Sequence, residues 1–167
     1  SGDLLLLYGD VPLLRAETLT ALLARHREAG AAATVLTAEV DQPYGYGRII
    51  RQDGAIARIV EERDATAAER AVREINAGIY ALALEPLAPA MAALAPKNAQ
   101  GEYYLPDLVG IYRRRGLGVS TLTVRSADEI RGVGPFFPRD RRATPGAAQW
   151  RVSGVLPRRR KSDTSAA

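Results

Sequence analysis

The stretch Leu4-Leu5-Leu6-Leu7-Tyr8-Gly9-Asp10-Val11-Pro12 decides the fold. A short continuous apolar run reads as a strand buried on both faces, here from Asp3 to Tyr8. A glycine and an acid follow it at once. In open α/β sheets, ligands bind just outside the carboxyl ends of the strands, which is where Asp10 falls. A glycine there lets a ligand approach the backbone. A carboxylate there suits a Mg2+ ion shared with phosphate oxygens. The same Gly-Asp pair would also serve simply to open a turn before Val11-Pro12, and spacing alone does not choose between the two.

Working outward, the pattern alternates between strand and helix. Glu17 to Ala29 places Leu19, Leu22, Leu23 and His26 on one helical face, with Gly30 as a stop. Ala33 to Val40 is rich in Thr and Val and reads as a second strand. Asp41 to Gly47 is a loop. Gly47 to Gln52 and Ala55 to Glu62 flank Asp53-Gly54, a hairpin signal. Ala65 to Val72 fits a short helix, Glu74 to Leu84 a strand, and Glu85 to Ala95 a helix with Pro86 in its first turn. Pro96 to Tyr103 is a loop, Pro106 to Arg115 a helix, and Gly118 to Val124 a strand. Strands alternating with helices, interrupted by one hairpin, predict an α/β domain. Its sheet would be mixed and mostly parallel, with an antiparallel hairpin insertion.

Composition removes several function classes. The chain has no cysteine, so a disulfide framework and a Cys-based zinc site are both excluded. The run Leu4 to Leu7 is too short to cross a bilayer and lacks the basic flank of a signal peptide, so a cytoplasmic location without membrane attachment is expected. The formal charge of +4 invites a nucleic-acid reading, but its distribution argues against one. From Gly134 onward there are eight Lys or Arg against two Asp or Glu; before it, fifteen basic residues face seventeen acidic ones. The basic excess therefore sits in an Arg/Pro-rich tail, residues 134–167, which shows no useful periodicity and is expected to be disordered. Such a tail binds polyanions weakly, and no specific nucleic-acid partner is expected.

Other residues could carry chemistry. In Pro43-Tyr44-Gly45-Tyr46-Gly47-Arg48, two glycines flank a tyrosine and could bring backbone N–H groups against a ligand, or form only a flexible entry to the hairpin. Glu61 and Glu62 end the second hairpin strand with side chains on opposite faces, so one could accept hydrogen bonds from sugar hydroxyls; a solvated acidic strand end is the plainer reading. Asn76, in a strand beside Gly78, offers two donors and an acceptor, or is satisfied by neighbouring backbone. His26, the single histidine, lies on an apolar helical face and reads as a packing residue.

In order, Leu-Tyr-Gly-Asp-Val-Pro-Leu (7–13), Tyr-Gly-Tyr-Gly-Arg-Ile (44–49), Ile-Val-Glu-Glu-Arg-Asp-Ala (59–65), Glu-Ile-Asn-Ala-Gly-Ile-Tyr (74–80) and Asn-Ala-Gln-Gly-Glu-Tyr-Tyr-Leu-Pro-Asp (98–107) resemble one family. It is the uridyltransferase domain of the bacterial bifunctional N-acetylglucosamine-1-phosphate uridyltransferase/glucosamine-1-phosphate acetyltransferases. The resemblance runs from about Asp3 to Val133, a partial nucleotidyltransferase domain over residues 1–133. It implies a Rossmann-like nucleotidyltransferase sheet, and the reaction of UTP with N-acetylglucosamine 1-phosphate to give UDP-N-acetylglucosamine and pyrophosphate. It further implies Mg2+ as cofactor with Asp10 as a ligand, and Tyr8 and Gly9 lining the nucleotide-sugar site. By the same resemblance Gly47 contacts the sugar through its backbone, Glu61 accepts from sugar hydroxyls, and Asn76 holds the sugar. No side chain is assigned a covalent role, because phosphoryl transfer of this kind rests on positioning and electrostatics.

Three departures from the family pattern shape the remaining expectations. The family's Gly-rich triphosphate loop precedes the Leu-Tyr-Gly-Asp motif and has no counterpart here, so the N-terminal strands are expected to be missing and apolar surface exposed beside Leu4 to Tyr8. Arg131-Gly132-Val133 is followed by Gly134 where the family has an Asn that is the second Mg2+ ligand. The hexapeptide-repeat β-helix, through which the family trimerises, does not follow. The reading is therefore of a parent protein with this activity, itself oligomeric, and of a fragment inactive alone. The alternatives are a transferase for another sugar phosphate, or a non-enzymatic fragment with a polyanion-binding tail.

Overall fold

The computed structural model describes residues 2–7, 11–96 and 98–130. Tyr8, Gly9 and Asp10, and the 134–167 tail with the domain limit at Val133, lie outside the described residues. In chain order the elements are β1 (Asp3–Leu6), α1 (Ala16–Glu28), β2 (Ala33–Glu39), β3 (Arg48–Gln52), β4 (Ala55–Val60), α2 (Ala67–Arg70), β5 (Glu74–Ala83), α3 (Leu84–Met91), α4 (Asp107–Arg114) and β6 (Val119–Thr123), then a single 3-10 turn at Ala127–Ile130.

The six strands form one mixed sheet in the order β4-β3-β5-β2-β6, with β1 also paired to β5. Strands β1, β2, β3 and β6 run one way, and β4 and β5 run the other. The mixed α/β sheet and its antiparallel hairpin are as the sequence suggests, and most strands do share a direction. Among the described residues, parallel pairing is nevertheless confined to β2 with β6. The reason is β5, which runs against the others yet stands between them, so that it pairs antiparallel with β1, β2 and β3.

Helices cover both faces. Leu22 of α1 joins Leu36, Ala38, Ile75, Ala77, Ile79 and Ala81 on one side. Ala90 of α3 and Leu108, Val109, Ile111 and Tyr112 of α4 join Val35, Ile49, Ile56, Tyr80 and Leu82 on the other. Strand β5 is buried on both faces from Ile75 to Leu82, which accounts for its nearly continuous apolar sequence. His26 is buried on α1, with Nδ1 3.0 Å from the Thr34 hydroxyl and Nε2 3.8 Å from Asp3, which Arg27 also holds at 2.8 Å.

Two departures from the sequence reading are local. Strand β1 is not buried: Leu4 is 38% exposed, Leu7 just past its end is 45% exposed, and only Leu5 and Leu6 of the strand reach the two cores. Among the described residues the strand has a ladder to β5 alone, so its apolar run covers an edge instead of filling a center. Strand β5 carries a bulge as well. Val35 pairs with Tyr80 but Thr37 with Asn76, so one residue of β2 faces three of β5. Gly78 takes the turn within it at φ 75°, a region L side chains rarely adopt. Because the excess is two residues, the alternation of faces survives on both sides of the bulge.

Candidate functional site

The described site residues converge at one end of the sheet. Strands β1 and β3 share an edge of β5: β1 lies opposite Tyr80 to Ala83, and β3 begins opposite Ile75. The carboxyl end of β1 therefore points along that edge toward the Asn76 end, where β3 starts and β4 finishes. Residues that sequence places far apart meet there because a hairpin and an antiparallel strand bring their ends together.

Gly47 is the buried residue immediately before β3. Its carbonyl accepts the backbone N–H of Asn76 at 2.8 Å. On its other side lies Glu61, just past β4. A Cβ built on Gly47 would lie 2.9 Å from Glu61 Oε1 and 3.1 Å from Ile59 Cγ2, so this position has no room for a side chain without a shift. Gly47 thus touches both Glu61 and Asn76, and three of the six candidate residues form one cluster.

Asn76 is buried and its side chain is engaged within β5. Nδ2 donates to the Tyr80 hydroxyl at 2.8 Å, and Oδ1 accepts the N–H of Gly78 at 2.9 Å. The amide therefore holds the bulge. One N–H of Nδ2 and one lone pair of Oδ1 lie beyond these two bonds.

The two glutamates divide as their spacing predicts. Glu61 faces Gly47 and a cleft of about 170 Å³ lined by Arg58, Ile59, Val60, Asp64, Asn98, Tyr104 and Asp107. Burial holds its carboxyl above the ordinary glutamate range, and the negative charges of Asp64 and Asp107 add to the effect against the opposing pull of Arg48. Burial likewise raises Asp107, and it raises the Tyr104 phenol to about 12 together with the charges of Asp64, Glu61 and Glu102. Gly47 and Asn76 do not line this cleft, so Glu61 stands between it and them. Glu62 turns instead toward the 43–47 loop, where it meets Arg48 at 2.5 Å.

Asp64, Asn98 and Asp107 are not among the site residues expected from the sequence. Asp64 accepts the Ala99 N–H at 2.9 Å, and Asn98 Oδ1 accepts from the N–H groups of Gln100 and Glu102. The loop 98–107 is thereby laid beside Glu61, and its place in the run of ordered motifs was the available signal. Among the described residues no group of three acids or histidines could hold a metal ion, and Asp10 lies outside them.

No family model matches the chain. It is 51% identical over 134 residues to the bifunctional GlmU protein of Pelotomaculum thermopropionicum, an alignment covering 80% of this chain and 29% of that protein. The figures are the same for the bifunctional GlmU protein of Trichlorobacter lovleyi. For that of Brevibacillus brevis they are 53% over 133 residues, 79% of this chain and 29% of that protein. Among solved structures, a Bacillus anthracis protein described provisionally as a glucose-1-phosphate thymidylyltransferase in complex with a sucrose aligns at 23% identity and TM-score 0.49, covering 64% of this chain and 40% of that one. The chain is a homologue of the GlmU proteins over the aligned span, and it spans less than a third of their length.

Proposed function

We propose that this chain carries the sugar-holding part of a sugar-1-phosphate nucleotidyltransferase. The reaction of the protein it represents joins UTP and N-acetylglucosamine 1-phosphate into UDP-N-acetylglucosamine and pyrophosphate. The observation that carries the reading is the contact of Gly47 with both Glu61 and Asn76, at the end of the sheet toward which β1 runs. Homology to proteins named bifunctional GlmU at about half identity supports the reaction class.

In this reading the side chains position and do not react. A phosphate oxygen of the sugar 1-phosphate attacks the α-phosphorus of UTP, the new P–O bond forms as the bond to pyrophosphate breaks, and holding the sugar still is the protein's main contribution. Glu61, as a carboxylate, accepts hydrogen bonds from sugar hydroxyls. Gly47 offers backbone and Asn76 the rest of its amide capacity. Tyr8, Gly9 and Asp10 follow β1 in sequence and would line the nucleotide-sugar site. When bound, Mg2+ would neutralise phosphate charge. Asp10 is the ligand this reading assigns to it, and no step here passes through the ion. UTP belongs to the cytoplasm, and the reading places the protein there. Among the described residues no helix is long and apolar enough to cross a membrane.

Calorimetric titration tests the reading. N-acetylglucosamine 1-phosphate and UDP-N-acetylglucosamine should bind this chain saturably, more tightly than the corresponding glucose compounds, and Glu61→Ala should abolish the binding. Tighter binding of another sugar phosphate would reassign the substrate. Absence of binding to any of them would refute a sugar site in this chain.

A further inference from the structure

Arg48 opens β3 and is 1% exposed, a fully buried guanidinium. Such a group is costly to bury, and a well-packed apolar pair would often serve stability as well. Its hydrogen bonds show what it holds. Nη1 donates to the carbonyl of Tyr46, Nη2 donates to Glu62 Oε2 at 2.5 Å, and Nε donates to the carbonyl of Arg70 at 3.4 Å. The same Glu62 oxygen accepts the N–H of Gly45 at 3.4 Å. One ion pair therefore grips two residues of the loop that leads into Gly47. On its outer side this loop is open: Tyr44 is 65% exposed.

We infer that Arg48 and Glu62 are positioning residues for the sugar, acting through the Gly45–Gly47 backbone. This rests on the reading of Gly47 as a sugar contact. The link is the peptide plane. The carbonyl of Tyr46 and the N–H of Gly47 belong to one trans peptide unit and point in opposite senses. Pinning that carbonyl to the buried Arg48 aims the Gly47 N–H away from it. The Gly47 carbonyl is fixed separately by Asn76. Both peptide units of Gly47 are thus held, one by β5 and one by the ion pair, and the ligand meets backbone already in place.

Two substitutions at Glu62 separate positioning from simple charge pairing. Glu62→Gln keeps the reach of the side chain and an oxygen that accepts from both Arg48 and Gly45, but loses the charge. Glu62→Asp keeps the charge and draws the oxygen back by one methylene. The full 167-residue chain and both variants are titrated with N-acetylglucosamine 1-phosphate, with thermal melts and amide exchange of residues 45–47 measured alongside. The expected result is affinity within about threefold of the wild type for Glu62→Gln, and about tenfold weaker with faster loop exchange for Glu62→Asp, as displacement of a positioned group predicts. Unchanged affinity in both variants, or loss in Glu62→Gln with retention in Glu62→Asp, overturns the inference while the sugar site stands. A wild-type chain that binds no sugar phosphate overturns the sugar site, and the inference with it.

Discussion

Gly47 and Glu61 approach so closely that a methyl group on the glycine would stand 2.9 Å from the glutamate's Oε1. Gly47→Ala must therefore displace the Glu61 carboxylate, since Ile59 closes the other direction at 3.1 Å. The expected cost in stability is about 1–3 kcal/mol, the ordinary range for overpacking. Sugar-phosphate affinity should fall by about tenfold or more, because the lost geometry is at the contact itself. Gly54→Ala is the control. It sits at φ 78° in open space at the hairpin tip, so strain of about 1–2 kcal/mol should appear in the melt with affinity unchanged.

The raised carboxyl of Glu61 has a signed consequence for stability. Its folded-state pKa lies above the unfolded value of about 4.3. The folded state therefore binds the proton more tightly. The stability contributed by the group is fully present below the unfolded value and is lost as pH rises through the folded one. Glu61→Gln, which cannot ionise, should melt at a higher temperature than the wild type at pH 7, and the gap should close by about pH 4. Melts across that range check it. A gap that is constant with pH would show that burial does not penalise this carboxylate.

Asn76 links the site to the core through the bulge. Asn76→Ala removes the acceptor of the Gly78 N–H and the donor to Tyr80, leaving a buried backbone donor without that partner. A loss of about 1–3 kcal/mol is expected. In urea titrations the midpoint should fall with the slope unchanged, since the surface exposed on unfolding is the same.

Apolar positions of similar type should differ sharply. Leu22→Ala, at a residue with no exposure, should cost about 2–5 kcal/mol. Leu4→Ala, at 38% exposure on β1, should cost under about 1.5 kcal/mol, because little area leaves water on folding there. Equal losses in the two melts would contradict the placement of β1 at an open edge.

Much of this fold is legible in the sequence because each element has its own punctuation. Gly30 and Gly116 end helices, and Asp53-Gly54, both at positive φ, turn the hairpin. The α1 span Ala16–Glu28 differs from the expected one by a single residue at each end. What periodicity does not carry is partnership. Four leucines read alike in a sheet center and at its edge, and only the pairing of β1 with β5 separates the two. Likewise, spacing puts Glu61 and Glu62 on opposite faces without saying which faces the cleft. Arg48 gave no sign of burial as a lone basic residue at a strand start. A regular two-residue hairpin would set Arg48 opposite Ile59; the register shift between Ile50 and Arg51 sets it opposite Val60 instead, two residues from Glu62. Tyr8, Gly9 and Asp10 rest on the ordered motifs alone.

The place of β5 also bears on how the chain is made. Its ladders join β1 and β2, which among the described residues have no ladder with each other. Synthesis runs from the amino end at about 5–20 residues per second, so β1 leaves the ribosome on the order of ten seconds before the strand that will hold it. During that interval Leu4 to Leu6 lacks its partner in β5, and pairing across so long a span of sequence is slow to close. The hairpin β3-β4 can form on its own schedule, but Gly47 and Asn76 meet only when β5 docks. Arrival of one late strand thus pairs β1 and assembles the proposed sugar contacts in the same event.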